Sequence, residues 1–136
     1  MLATLQFGDN DTRFYSKEYL VTECNCRFTR CHNHFRPDGN ARCDMITVTL
    51  IAPGKGDLNI FEWYADGSVQ SGRLLFEVLY RSGAEENVKE ILFEDAYCVS
   101  IEENYDIHSS SRRTLTVEIV SDRIVMDSVE FKNGEA

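Results

Sequence analysis

Three segments carry the period-two pattern of a strand, and no other feature limits the possible folds of this chain so strongly. Ile46, Val48 and Leu50 share one face of a Thr- and Val-rich run; Leu74, Phe76, Val78 and Tyr80 share a face in a second, and Leu115, Val117 and Ile119 in a third. A period of two marks strands with one buried face. Tyr19 to Thr29 reads as a further, long strand in which Leu20, Cys24, Cys26 and Phe28 fall on one parity, a length that fits a barrel wall or an extended edge. Met1 to Phe7, Lys89 to Glu103 and Arg123 to Phe131, the last after a Ser121-Asp122 turn signal, bring the total to about seven strands.

One helix interrupts the series. Gly54-Lys55-Gly56-Asp57 supplies a loop and an N-cap and Gly67 a stop, which predicts a helix over Leu58 to Asp66. Leu58, Phe61 and Ala65 form one apolar stripe, and Ile60, Trp63 and Tyr64 widen it beyond what one packed face needs. The Lys89 to Glu103 strand carries the same signal. Ile91, Phe93, Tyr97, Val99 and Ile101 share a parity while Leu92, Ala96 and Cys98 occupy the other. Apolar groups on both sides of an element call for cover on both sides, and in a chain of 136 residues the second cover is expected from another copy. Asp95 interrupts the apolar parity. It is expected to be a buried polar residue bonded by backbone N–H groups or an Arg, the alternative being a bulge that turns it outward.

With 43% hydrophobic and 27% charged residues the chain is expected to be one globular domain, 1–136. A net charge of -9 argues against nucleic acid and anionic lipid as partners. The start, Met1 to Phe7, lacks the basic and long apolar regions of a secretory signal, so synthesis and assembly in the cytoplasm are expected. Five cysteines, at 24, 26, 31, 43 and 98, do not look like a paired framework, and reduced thiols are the expectation.

Thr29 to Asp44 is polar, basic and turn-rich, with Pro37 and Gly39, and a loop of that length between strands is expected to project and to have a role. It also holds the only metal-like grouping worth weighing, Cys31, His32, His34 and Cys43. The spacing makes no pair of clean knuckles, and Cys24 and Cys26 read as core-filling residues, so no metal and no cofactor is expected. A Cys31–Cys43 disulfide is a second possibility, one that needs an oxidising space. No catalytic residue is expected: His108 beside Ser109 to Ser111 fits no nucleophile motif, Glu102 to Asp106 lacks the ligand order of a calcium loop, and Glu85-Glu86 with Lys89 reads as turn charge.

Several of these segments together resemble the tube subunit of bacterial type VI secretion systems, the Hcp or TssD family, and most closely its Bacteroidetes branch. The likeness rests on Phe61-Glu62-Trp63, on Gln70-Ser71-Gly72 entering a strand, on Phe93-Glu94-Asp95-Ala96-Tyr97-Cys98-Val99, and on Thr114-Leu115-Thr116-Val117-Glu118-Ile119. It covers nearly the whole chain. Arg36-Pro37-Asp38-Gly39 looks like the turn of the family's extended loop that contacts a neighbouring ring, whereas Asn40 to Cys43, Cys31 to His34 and Asp9 to Ser16 depart from the usual pattern. The resemblance implies a mainly β fold, a small two-sheet β-barrel with one short α-helix and a long projecting loop. It further implies a homo-oligomer of hexameric rings that stack into a hollow tube, working with sheath, spike and effector proteins and exported without a signal peptide; the alternatives are a monomeric or zinc-stabilised β-barrel binding module and the tube subunit of a phage-like contractile particle. On that reading Phe61, Trp63, Tyr64 and Tyr97 lie in or beneath the ring subunit interface, and Arg36, Pro37, Asp38 and Gly39 form the ring-stacking loop.

Overall fold

The computed structural model describes residues 2–30, 32–33, 35–37, 39, 41–79, 86–108 and 113–133. Strands β1 (Leu2–Asp9), β2 (Phe14–Thr29), β5 (Arg42–Ile51), β6 (Gln70–Leu79), β7 (Glu86–Tyr105) and β8 (Arg113–Val120) pair antiparallel in the order β7-β6-β1-β2-β5-β8. Tyr105↔Arg113 through Tyr97↔Val120 then join β7 to β8, so the sheet closes on itself as the predicted barrel. The short strands β9 (Arg123–Met126) and β10 (Val129–Lys132) extend the wall from β7, beyond its closed edge. The helix α1 (Asn59–Asp66) sits between β5 and β6 in the chain.

The three alternating runs are strands as expected, and Ile46, Val48, Leu50, Leu74, Leu115, Val117 and Ile119 are fully buried inside the barrel. Phe7 stands at the centre of an aromatic group, edge-on to Trp63 at 5.2 Å, Tyr19 at 5.9 Å and Phe93 at 6.1 Å. Gly72 on β6 is required by close approach, because a Cβ there would run into the Gln6 carbonyl of β1.

Several expectations need correction, and three of them have one cause. On β7, Glu94 and Asp95 together face Ser71 of β6, and Asp95 takes a left-handed φ of 49°. This bulge flips the parity of the strand: Ile91 and Phe93 point inward before it, Ala96 and Cys98 after it. A second irregularity between Cys98 and Ser100 flips it back, so Ile101 again packs on the core. Much of the two-sided apolar pattern is therefore one buried face read through two register shifts. Asp95 is exposed, not a buried polar residue; its backbone N–H donates to Ser71 Oγ at 3.0 Å. A shift between Val21 and Glu23 acts likewise on β2, where Tyr19 and Val21 are buried and Leu20 is 46% exposed, with Cys24 and Cys26 turning inward only beyond it.

The helix starts one residue later than predicted. Asp57 Oδ1 accepts from Asn59 N–H at 3.1 Å without being the cap itself, while Gly67 ends the helix at φ 62° as expected. Its buried face is Ile60 and Trp63, and the predicted stripe is the outer one: Leu58 is 54% exposed, Ala65 is exposed and Phe61 is half-buried. Arg123 to Phe131 is not one strand but two, joined by Asp127 and Ser128 with φ of 45° and 76°, the two positive values of a type I′ hairpin.

Candidate functional site

Among the described residues the surface offers three places where structure and chemistry converge. The first is the projecting segment. Register pairs carry β2 and β5 out to Thr29↔Arg42, and β3 (His32–Asn33) pairs with β4 (Arg36–Pro37) beyond them. The predicted loop is thus a hairpin, with Phe35 at its turn and fully exposed at 102%. Arg36 is exposed, and Gly39 adopts a φ of 96° that favours glycine. Asp38 lies outside the described residues, and Pro37 is placed by its backbone alone.

The second is the opposite end of the barrel, where β5 runs out into Ala52-Pro53-Gly54 and α1 begins. Ile51, Ala52, Pro53, Leu58 and Phe61 line an open groove of about 580 Å³, with Lys55, Asp57 and Arg113 at its rim. Arg113 reaches the Pro53 carbonyl at 3.4 Å and Glu103 at 3.7 Å, and Tyr19 donates its hydroxyl to Asp57 at 2.9 Å. That contact and burial, the larger influence, push the Tyr19 hydroxyl well above its ordinary range.

The third is the outer face. Tyr64 on α1 is 49% exposed, and Tyr97 and Val99 on β7 are 45% and 46% exposed. Trp63 differs from them: at 1% exposure it lies wholly within the chain's own core, where its Nε1 donates to the Ala96 carbonyl at 2.9 Å. It can only support a surface from beneath. A polar ladder crosses β2, β1, β6 and β7. Gln6 Nε2 donates to Glu18 at 2.9 Å, Arg73 Nε to Gln6 at 2.7 Å and Arg73 Nη1 to Glu90 at 2.6 Å, and Arg13 reaches both Glu90 oxygens. Burial draws the Glu90 carboxyl upward, but the two guanidiniums outweigh it and the net shift is downward.

The thiols sit away from these surfaces. Cys24 and Cys26 share a face of β2, half-buried, and Cys43 of β5 is fully buried next to them. Hydrogen bonds from Cys24 and Cys43, with the Lys89 ammonium, lower Cys26, and Cys24 and Cys43 are correspondingly raised. Cys43 thus points into the core as a free thiol. Cys31 and His34 fall outside the described residues, and His32 is described by its backbone only. His108 is exposed, its backbone N–H bonded to Asp106 Oδ1 at 3.0 Å; Ser109 to Ser111 are outside the described residues. Glu103 is engaged by Arg113 and by the Tyr105 hydroxyl, as a surface residue held by its neighbours.

The family model for hemolysin coregulated protein Hcp (TssD) matches residues 1–134. The chain belongs to the Hcp (TssD) family. Its fold is similar to that of Hcp1 from Flavobacterium johnsoniae, with a TM-score of 0.75 and 25% identity over 98% of this chain and 100% of that one. Hcp1 of E. coli EAEC 042, solved as a doubly substituted mutant, gives a TM-score of 0.71 at 12% identity, covering 96% of this chain and 95% of that one. A chain from the sheath–tube complex of an extracellular contractile injection system gives 0.52 at 15% identity, covering 93% and 88%. The last two show the fold alone. A search of curated proteins found no match. The surface residues not expected from the sequence are Phe35, the groove residues Ile51, Ala52 and Pro53, and the ladder residues Gln6, Arg13, Glu18, Arg73 and Glu90. Phe35 is the apolar residue in an otherwise polar turn, a signal present in the sequence, whereas the groove arises from segments whose proximity no local pattern encodes.

Proposed function

We propose that this Hcp protein is the structural subunit of a type VI secretion tube, a single domain over 1–136 that forms hexameric rings which stack into a hollow conduit. The observation that carries the reading is the family match along nearly the whole chain, supported by the likeness to the Flavobacterium Hcp1. Its work is geometric and not catalytic. Phe61, Tyr64 and Tyr97, with Trp63 beneath, serve the ring interface, and the Arg36 to Gly39 turn serves stacking, so apolar burial repeated around a closed symmetry supplies the affinity. Sheath, spike and effector proteins are the expected partners, nucleic acid and membrane are not, and export proceeds through the machine itself without a signal peptide.

Native mass of the purified chain is the test. A six-chain species that elongates into tubes in electron micrographs is the expected result, and a monomer at high concentration overturns it. The tube of a contractile injection particle is the second reading, since a chain of such a particle shares the fold; gene neighbours distinguish the two.

A further inference from the structure

Cys24 and Cys26 of β2 and Cys43 of β5 bring three free thiols together on the inner face of the barrel, at the root of the projecting hairpin. Their meeting is a product of register. Arg27 faces Met45 and Phe28 faces Cys43, so Asp44 is the extra residue of a bulge. In an unbroken ladder Cys43 would oppose Thr29 and turn outward with it; the bulge moves Cys43 one position closer to Cys26 and turns it into the core.

The three thiols are not equivalent. Cys43 is fully buried, whereas Cys24 and Cys26 are half-buried and can be met first by a reagent from solution. Hydrogen bonds from Cys24 and Cys43, aided by the Lys89 ammonium, outweigh burial and favour the thiolate at Cys26, and the thiolate is the nucleophilic form. Cys43 is held protonated chiefly by its bond to Cys26, with burial and Asp44 adding to the effect, so capping Cys26 removes the main hold on it. Cys24 is the poorer partner for a bond to Cys26. Two residues along one strand stand about 6.6 Å apart with parallel Cβ directions, and a disulfide needs Cβ atoms about 4 Å apart.

We propose that Cys26 and Cys43 are a thiol–disulfide pair that closes a covalent clip between β2 and β5 when the chain meets a small-molecule disulfide, RSSR. The Cys26 thiolate attacks one sulfur of RSSR, the RS–SR bond breaks, and RS⁻ leaves with the bonding pair. Cys43 then attacks the Cys26 sulfur of the mixed disulfide. Its S–H proton passes to the second departing thiolate, which leaves as RSH, and the Cys26–Cys43 bond forms. Two thiols of the chain are oxidised and one RSSR is reduced, so atoms and electrons balance. The clip ties the two ends of the segment 27–42 within one copy of the chain, and it stands apart from the tube reading.

Oxidation of the purified, folded full chain with oxidised glutathione tests it. Intact mass should fall by two hydrogens with no glutathione retained. Trypsin, cutting at Arg27, Arg30 and Arg42, should then release the peptide of Cys24 and Cys26 joined to the peptide that begins at Cys43. Three variants assign the bond: Cys24→Ala should still close it, Cys43→Ala should stop at a glutathione adduct on Cys26, and Cys26→Ala should form no bridge to Cys43. The wild-type mass and peptide map need no variant to fold. Thiols that stay unreacted, a glutathione adduct that persists on the wild type, or a bridge between any other two of the five cysteines overturns the clip.

Discussion

Trp63 hangs from Ala96: its indole N–H donates to that carbonyl at 2.9 Å, fastening the helix to β7 one residue past the bulge. The ring also packs edge-on to Phe7 at 5.2 Å, so a single side chain joins α1 to the barrel interior. Trp63→Phe keeps most of the packing and should cost about 1–2 kcal/mol for the lost bond and the unpaired carbonyl. Trp63→Ala should cost about 3–5 kcal/mol. Urea denaturation of both variants, followed by circular dichroism, measures the difference.

Asn10 does comparable work at the other end of the same bulge. It is buried, its Nδ2 donates to the Gly72 carbonyl at 3.0 Å, the Phe93 carbonyl at 3.2 Å and Glu94 at 3.0 Å, and its Oδ1 accepts from Tyr15 at 2.6 Å. Asn10→Ala leaves several polar groups without a partner and should destabilise the fold by roughly 2–3 kcal/mol. Asn10→Asp should be at least as damaging, since a carboxylate would face two carbonyls and Glu94. Thermal melts of the two variants check the order.

Asp95 pays a small conformational penalty at its φ of 49°. Asp95→Gly is expected to be neutral or stabilising, and Asp95→Val to cost about 1–2 kcal/mol although the side chain is exposed. Equal stability of the two variants in guanidinium titrations would contradict the bulge geometry.

Glu90 links stability to pH. Its folded pKa lies below the ordinary 4.5 because Arg13 and Arg73 outweigh the effect of burial. A carboxylate depressed on folding contributes stability above its unfolded pKa and loses it as pH falls through the folded value. The wild type should therefore weaken from about pH 5 downward, and Glu90→Gln, less stable at pH 7, should lack that part of the acid dependence. Parallel acid titrations of both proteins, monitored by unfolding midpoint, reveal the convergence.

What could be read in advance, and what could not, follows from how a strand signals itself. Ile46, Val48 and Leu50 lie on a stretch of unshifted pairing with β8, so their alternation reports burial directly. Leu92 to Val99 crosses two shifts, and each makes the inward parity change sides, which in a linear sequence looks the same as an element buried on both faces. The Asp95 error has the same origin: the residue that interrupts an apolar parity is the one the bulge turns outward. The helix misled for another reason. Leu58, Phe61 and Ala65 have good spacing, but Trp63 has the larger area and a carbonyl to bond, and it wins the inward position. Of the surfaces, the projecting segment was legible from its length and turn residues, whereas Phe35 stands out only once its exposure is known.

The shutting of the barrel by β8 sets an order on biosynthesis. β8 is the strand bonded to both β5 and β7, so everything before Arg113, however well paired, is a curled sheet with two raw margins. A nascent or truncated chain lacking 113–120 is thus a template for indiscriminate strand pairing, and the late arrival of eight residues turns a sticky ribbon into a tidy building block.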